Sequence, residues 1–290
     1  MMRLAALAIF LMAWPLIARA QETTFSVTAE EVRMEVLVTE NGKPVSGLSA
    51  DDFEILDNGV AQEIHYVTLQ KHAPISTTLV FDMSRSVSGK LLDNLKNAAS
   101  AFLNDLRDAD YASLITFNNA VILGSPPTRD LARVKLALDQ IQPFGNSSLI
   151  DGSYSGLVLA ESRPDQPLVV IFSDGCDTFS WLTNEAVLET AKRNEAVVYA
   201  VSTDRQPDKT FLSELTKLTG GFLFQVKSAN DLAAVFLGIL EEFRQRYLVT
   251  YTPPQDKSGM GWHKVEVRVK NRSAKVNARP GYMRSSPSQN

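Results

Sequence analysis

Apolar and polar positions follow three successive patterns along the chain, and each predicts a different kind of structure. From residue 25 to 69, short apolar runs alternate with polar residues and are broken by turn formers. Val32, Met34, Val36 and Val38 would share one face of a strand, because successive strand side chains point to opposite sides. Asn41-Gly42 and Asn58-Gly59 follow such runs, and Asn-Gly tolerates the positive φ of a hairpin turn. With further strands over 52–56 and 64–69, residues 21–72 read as a small β-module.

From 75 to 246 the period changes. Leu79-Val80-Phe81 and Leu168-Val169-Val170-Ile171-Phe172 are wholly apolar, as strands covered on both faces must be. Between such runs apolar residues recur at helical spacing: Leu91, Leu95, Ala98, Phe102 and Leu106 lie on one side of a helix over 90–106. The predicted order is strand 77–81, helix 90–106, strands 111–117 and 121–124 joined at Asn118-Asn119, and helices 130–141 and 148–161. Strand 168–172, helix 184–194, strand 196–201, helix 209–218, strand 222–226 and helix 230–246 complete it. This is an α/β fold, a doubly wound and mostly parallel sheet with one antiparallel edge strand, over residues 73–246.

After residue 246 the alternation returns in Tyr247-Leu248-Val249-Thr250-Tyr251 and at Val265, Val267 and Val269, ahead of a polar tail at 285–290. Residues 247–290 cannot easily make a stable sheet alone. They are expected to pair with the N-terminal strands in one small β-sandwich, with the α/β domain inserted. Two separate β-appendages are the alternative.

The start of the chain has to be set aside before the fold is read. Arg3 precedes an apolar stretch at 4–17, and Ala18-Arg19-Ala20 fits a small-x-small cleavage pattern. Residues 1–20 therefore read as a signal peptide, too short in its apolar core for a spanning helix. Export to the periplasm or beyond the cell follows, with no membrane span after cleavage. The full chain carries a net charge of −4, and losing Arg3 and Arg19 brings it to about −6. A mildly acidic chain without a basic stripe argues against a nucleic-acid partner. Cys176 is the only cysteine, so the core must hold the fold without an internal disulfide.

The candidate chemistry sits at strand ends. Asp82-Met83-Ser84-Arg85-Ser86 follows one buried strand and Ser173-Asp174-Gly175 another, with Phe144-Gly145-Asn146-Ser147-Ser148-Leu149-Ile150-Asp151-Gly152 between them. In open α/β sheets, ligands bind beyond the carboxyl ends of the strands. Carboxylates and hydroxyls gathered there suit a hard cation, and one with few charged ligands keeps positive charge for an acidic group of another molecule. Each piece also has a plainer reading: Ser86 or Ser88 as a helix cap, and Ser148 with Asp151 as a capping pair.

Together these pieces resemble the von Willebrand factor type A domain with its metal-ion-dependent adhesion site. The whole exported chain is similar to bacterial secreted proteins related to that domain, through Gly42-Lys43-Pro44-Val45-Ser46-Gly47-Leu48-Ser49-Ala50-Asp51-Asp52-Phe53 and Arg279-Pro280-Gly281-Tyr282. The resemblance implies a Rossmann-like domain holding Mg2+, or else Mn2+ or Ca2+. Ser84, Ser86 and a loop hydroxyl would bind it directly, with Asp82 and Asp174 acting largely through water. A protein ligand would complete the site with an Asp or Glu carboxylate. Where the family usually has threonine in the loop, this chain has Ser147 with Ser148 beside it; register favours Ser147.

Non-catalytic protein recognition is therefore the expected function. One rival is a structural part of an envelope assembly, in which the metal only braces loops. Another is a magnesium-dependent phosphotransferase or hydrolase with Asp82 as nucleophile. Against catalysis, Gly152-Ser153-Tyr154-Ser155-Gly156 has tyrosine where a nucleophile elbow needs serine, and His65, His72 and His263 all lie outside the α/β region. Phe179, Trp181 and Trp262 are either partner contacts or buried aromatics, and Arg85 either steers an acidic partner or is simply solvated.

Overall fold

The wholly apolar runs fill the middle of a six-stranded sheet. A computed structural model describes residues 31–163, 165–174, 176–203, 210–253 and 260–284. The expected signal peptide, Gly175 and the polar tail lie outside the described residues.

The first strands are β1 (Val32–Glu40), β2 (Lys43–Pro44), β3 (Phe53–Asp57), β4 (Val60–Gln62) and β5 (Ile64–Leu69). Next come β6 (Ile75–Asp82), α1 (Lys90–Asp105), β7 (Tyr111–Phe117), β8 (Val121–Thr128), α2 (Leu131–Asp139) and α3 (Leu149–Ala160). They are followed by β9 (Gln166–Ser173), α4 (Asn184–Arg193), β10 (Val197–Thr203), α5 (Thr210–Thr219), β11 (Leu223–Val226) and α6 (Leu232–Phe243). The chain closes with β12 (Tyr247–Tyr251), β13 (Gly261–Val269), β14 (Lys275–Asn277) and β15 (Gly281–Arg284). Asn41 and Asn58 take positive φ, 51° and 48°, at the two expected Asn-Gly turns.

The large sheet runs β11-β10-β9-β6-β7-β8 and is parallel except for the edge pair β7–β8. Side chains alternate across it. Leu79 and Phe81 pack in one cluster with Leu95, Phe102, Val134 and Phe236 from α1, α2 and α6. Val80, Val169 and Ile171 pack in another with Leu157, Val187 and Leu212 from α3, α4 and α5. From the central neighbours β6 and β9 the chain moves outward in opposite directions, to β7 and to β10. The crossovers therefore diverge just past Asp82 and Ser173, the position at which open α/β sheets bind ligands.

Two element ends differ from expectation by more than two residues. β8 continues through Pro126 and Pro127 to Thr128, which an edge strand with an irregular register can accommodate. α6 stops at Phe243 rather than 246, because the next side chains turn inward. Arg244 bonds Asp110 at 2.5 Å. Arg246 is wholly buried and donates to the Tyr199 hydroxyl (2.9 Å) and the Gly220 carbonyl (2.7 Å).

Strands from both ends of the chain form two smaller sheets, β14-β1-β12-β5 with β2 on β1, and β15-β13-β3-β4. β1 pairs with β12 and β3 with β13, both antiparallel. Met34, Val36, Phe53, Ile55, Tyr247, Val249 and Val265 meet in a third apolar cluster. The Phe53 and Tyr247 rings contact edge to face, centroids 5.6 Å apart.

Glu35 lies where this β-region meets the large sheet and accepts a bond from Gln166 Nε2 at 3.0 Å. Burial pushes its carboxyl from 4.5 up to about 7, while Arg246 and the Gln166 bond pull the other way. Between those values the folded protein holds a proton that the unfolded chain has released, so this group lowers stability as pH rises through the window. Glu35→Gln is expected to flatten that loss. Relative to wild type it should be more stable by about 3 kcal/mol at pH 8 than at pH 4, as read by urea denaturation at both pH values.

Candidate functional site

The site begins with a buried carboxylate. Asp82 ends β6 and has no exposed surface. Its Oδ1 accepts the Ser84 N–H at 2.8 Å, and its Oδ2 accepts the Ser147 hydroxyl at 2.9 Å and the Ser173 hydroxyl at 2.8 Å. Ser84 Oγ lies 3.0 Å from Ser86 Oγ, which donates to Asp174 Oδ1 at 2.8 Å. Asp82, Ser84, Ser86, Ser147 and Asp174 thus lie in one continuous hydrogen-bonded network. Burial raises the Asp82 carboxyl above its usual range, opposed by bonds from Ser84, Ser173 and Ser147.

Backbone bonds hold the loops against one another. Met83 N–H donates to Phe117 O (2.7 Å), Phe144 N–H to Met83 O (2.8 Å) and Arg85 N–H to Gly145 O (3.1 Å). The central loop is tied to the stretch after β9 as well. Thr178 and Phe179 donate their N–H groups to Ser147 O at 2.9 and 3.0 Å, and Ser147 N–H donates to Thr178 Oγ1 at 3.1 Å. Asp151 accepts from the Trp181 and Leu182 N–H groups, and Asp177 from Ile150 N–H and the Ser180 hydroxyl. These two carboxylates therefore serve the loops.

This geometry separates several alternatives. Ser147, not Ser148, reaches Asp82. Ser148 stands at the N-cap of α3 without a side-chain capping bond, so the expected pair with Asp151 does not form. Neither Ser86 nor Ser88 caps α1, whose N-cap is Gly89 at φ 58°. Arg85 and Trp181 are exposed, and Cys176 is half-buried. His263 is buried beside Asp57 in the β-region, with Nδ1 2.7 Å from Oδ1. Sequence reasoning missed Ser173 as an Asp82 partner, although it closes the strand before Asp174. Thr178 and Asn119 carried no signal, because their partners are distant in the chain.

The residues present fit a hard divalent cation. Among the described residues no group of three or more His, Cys, Asp or Glu side chains comes together. The network instead offers oxygen only, from three serine hydroxyls and two carboxylates, the donor type that magnesium, manganese and calcium take. The Ser86 hydroxyl donates its hydrogen bond to Asp174 and the Ser147 hydroxyl donates its own to Asp82, which leaves lone pairs on both oxygens for an ion.

Gly145 sets the loop. It has φ +71°, and a Cβ there would lie 2.4 Å from Asn119 Oδ1, the acceptor for Asn146 N–H. Gly145→Ala is expected to lower the unfolding free energy by about 1–3 kcal/mol, from the left-handed backbone and the displaced carboxamide together. Chemical denaturation of the two proteins compares them directly.

Comparison with known proteins gives a consistent picture. Residues 77–176 match the family profile of the von Willebrand factor type A domain. Human inter-alpha-trypsin inhibitor heavy chain H6 is 23% identical over 201 residues, which cover 62% of this chain and 15% of that protein. A UPF0353 protein of Mycobacterium avium is 22% identical over 218 residues, 63% of each chain. The matched region is thus less than two thirds of either relative's own length. Proximal thread matrix protein 1 from the mussel byssus superposes with a TM-score of 0.54 at 15% identity, covering 65% of this chain and 51% of that one. That mussel protein has also been solved with a zinc-occupied metal-ion-dependent adhesion motif. At such identity the likeness concerns the fold.

Proposed function

We propose, from the match of residues 77–176 to the von Willebrand factor type A profile, that the chain is an exported, non-catalytic binding protein that recognises a protein ligand through a Mg2+-type adhesion site. The single observation that carries this reading is the network joining Asp82, Ser84, Ser86, Ser147 and Asp174 at the ends of β6 and β9. In it, Ser84, Ser86 and Ser147 hold the ion directly. Asp82 and Asp174 orient those hydroxyls and supply negative charge. When bound, the cation provides a positive centre to which an acidic side chain of the partner attaches. Export rests on the apolar stretch at 4–17 and the Ala18-Arg19-Ala20 pattern.

The same reading divides the chain into a signal peptide at 1–20, a β-module at 21–72, the type A domain at 73–246 and C-terminal strands at 247–290. The sheet of the type A domain is doubly wound. The two smaller sheets form one β-sandwich, with that domain inserted between its strands.

Binding is favoured over catalysis by the state of Asp82. Its oxygens accept three hydrogen bonds and the residue has no exposed surface, so a phosphoryl group has no access to it in this arrangement of the loops.

Adding Mg2+ or Mn2+ to chelated protein should raise Tm, since an ion at one hundred times its Kd adds about 2.7 kcal/mol. Ser84→Ala should remove that rise while leaving the melting of the metal-free protein within a few degrees. A Tm indifferent to every divalent ion would overturn the reading.

A further inference from the structure

The loops that build the site also hold three large aromatic side chains in the open. Trp181 is 89% exposed, Phe144 62% and Phe179 42%. Each is anchored through its own N–H to the site: Phe144 to Met83 O at 2.8 Å, Phe179 to Ser147 O at 3.0 Å, and Trp181 to Asp151 Oδ2 at 3.0 Å. Their backbones are therefore fixed beside the loops that carry the hydroxyls.

The charges on these loops are as informative as the aromatics. Asp151 and Asp177, the carboxylates of the neighbouring loops, are turned onto backbone N–H groups and the Ser180 hydroxyl. Arg85 is exposed between the two site serines. Among the described residues, the loops around the network therefore offer hydroxyls, the Arg85 guanidinium and three exposed aromatic side chains. Exposed aromatics grouped around a polar centre are the anatomy of a recognition hot spot.

We infer that the partner presents an acidic side chain flanked on both sides by large apolar residues. The carboxylate meets the hydroxyl site and Arg85. One flank lies on Phe179 and Trp181, and the other on Phe144. This inference rests on the function proposed above, and it specifies the sequence around the acid.

The test is selection of phage-displayed random dodecapeptides on the exported protein in Mg2+, with elution by EDTA. The enriched peptides should carry Asp or Glu with Leu, Ile, Phe or Trp on both sides. Replacing the acid by its amide, or the flanks by Ser, should weaken binding of the synthetic peptides about tenfold or more. Trp181→Ser and Phe179→Ser should weaken binding of those peptides about fivefold while keeping the metal-induced Tm rise. Acidic peptides selected regardless of their flanks, or bound equally by the Trp181→Ser protein, would overturn the inference and leave the metal reading standing. Chelation-insensitive binding to phosphatidylglycerol vesicles, lost in Trp181→Ser, would assign the aromatics to a membrane and overturn the inference too. Absence of any metal-induced Tm rise would defeat the underlying function and this inference together.

Discussion

The Asp82 carboxylate is the fixed point of this molecule. It is sealed inside the protein, yet it receives one backbone N–H and two hydroxyls, from Ser84, Ser147 and Ser173. An unpaired buried carboxylate would be strongly unfavourable, and the three donors offset that by surrounding the charge. They come from the loop after β6, the loop before α3 and the end of β9. Satisfying one side chain therefore fixes three stretches of chain that are far apart in sequence. β6 and β9 are neighbours whose crossovers diverge, and Asp82 gives that point of divergence a defined arrangement of oxygens.

Much of this was legible in the sequence, and the reason lies in periodicity. Asp82, Ser84 and Ser86 are spaced by two at the end of an apolar run, so one pattern announces both the strand and the loop. The wholly apolar composition of 168–172 marks β9 as a strand covered on both faces, and Asp174 follows directly. Choosing Ser147 over Ser148 depended on register alone, and the Ser147–Asp82 bond places its side chain in the network. What could not be read were bonds between distant loops: Ser147 with Thr178, Asn146 with Asn119, and Asp151 with Trp181 and Leu182. No local pattern encodes such pairs. The end of α6 was hidden for a related reason. Arg244 and Arg246 look like ordinary last-turn cations, yet they turn inward to Asp110 and Tyr199.

Arg246 gives the far end of the large sheet a polar lock of its own. Its guanidinium donates to Tyr199 on β10, to the Gly220 carbonyl after α5 and, at 3.3 Å, to Asn277 on β14. Arg279 reaches across as well, to the carbonyls of Lys192 and Asn194 at the end of α4. A buried arginine held by several acceptors resists replacement, because its removal strands each of them. The β-region is thus joined to the α/β region by directional bonds as well as by apolar contact.

The points where the chain enters and leaves the α/β region are also neighbours. Leu69 on β5 stands opposite Tyr247 on β12, and the Gln70 N–H donates to the Arg246 carbonyl at 2.8 Å. Entry and exit points that meet in this way are where a domain can be inserted into a host sheet or exchanged from it. Gene fusion could swap the α/β segment for another, or a short hairpin could replace it, without tearing the ladder that the host strands share.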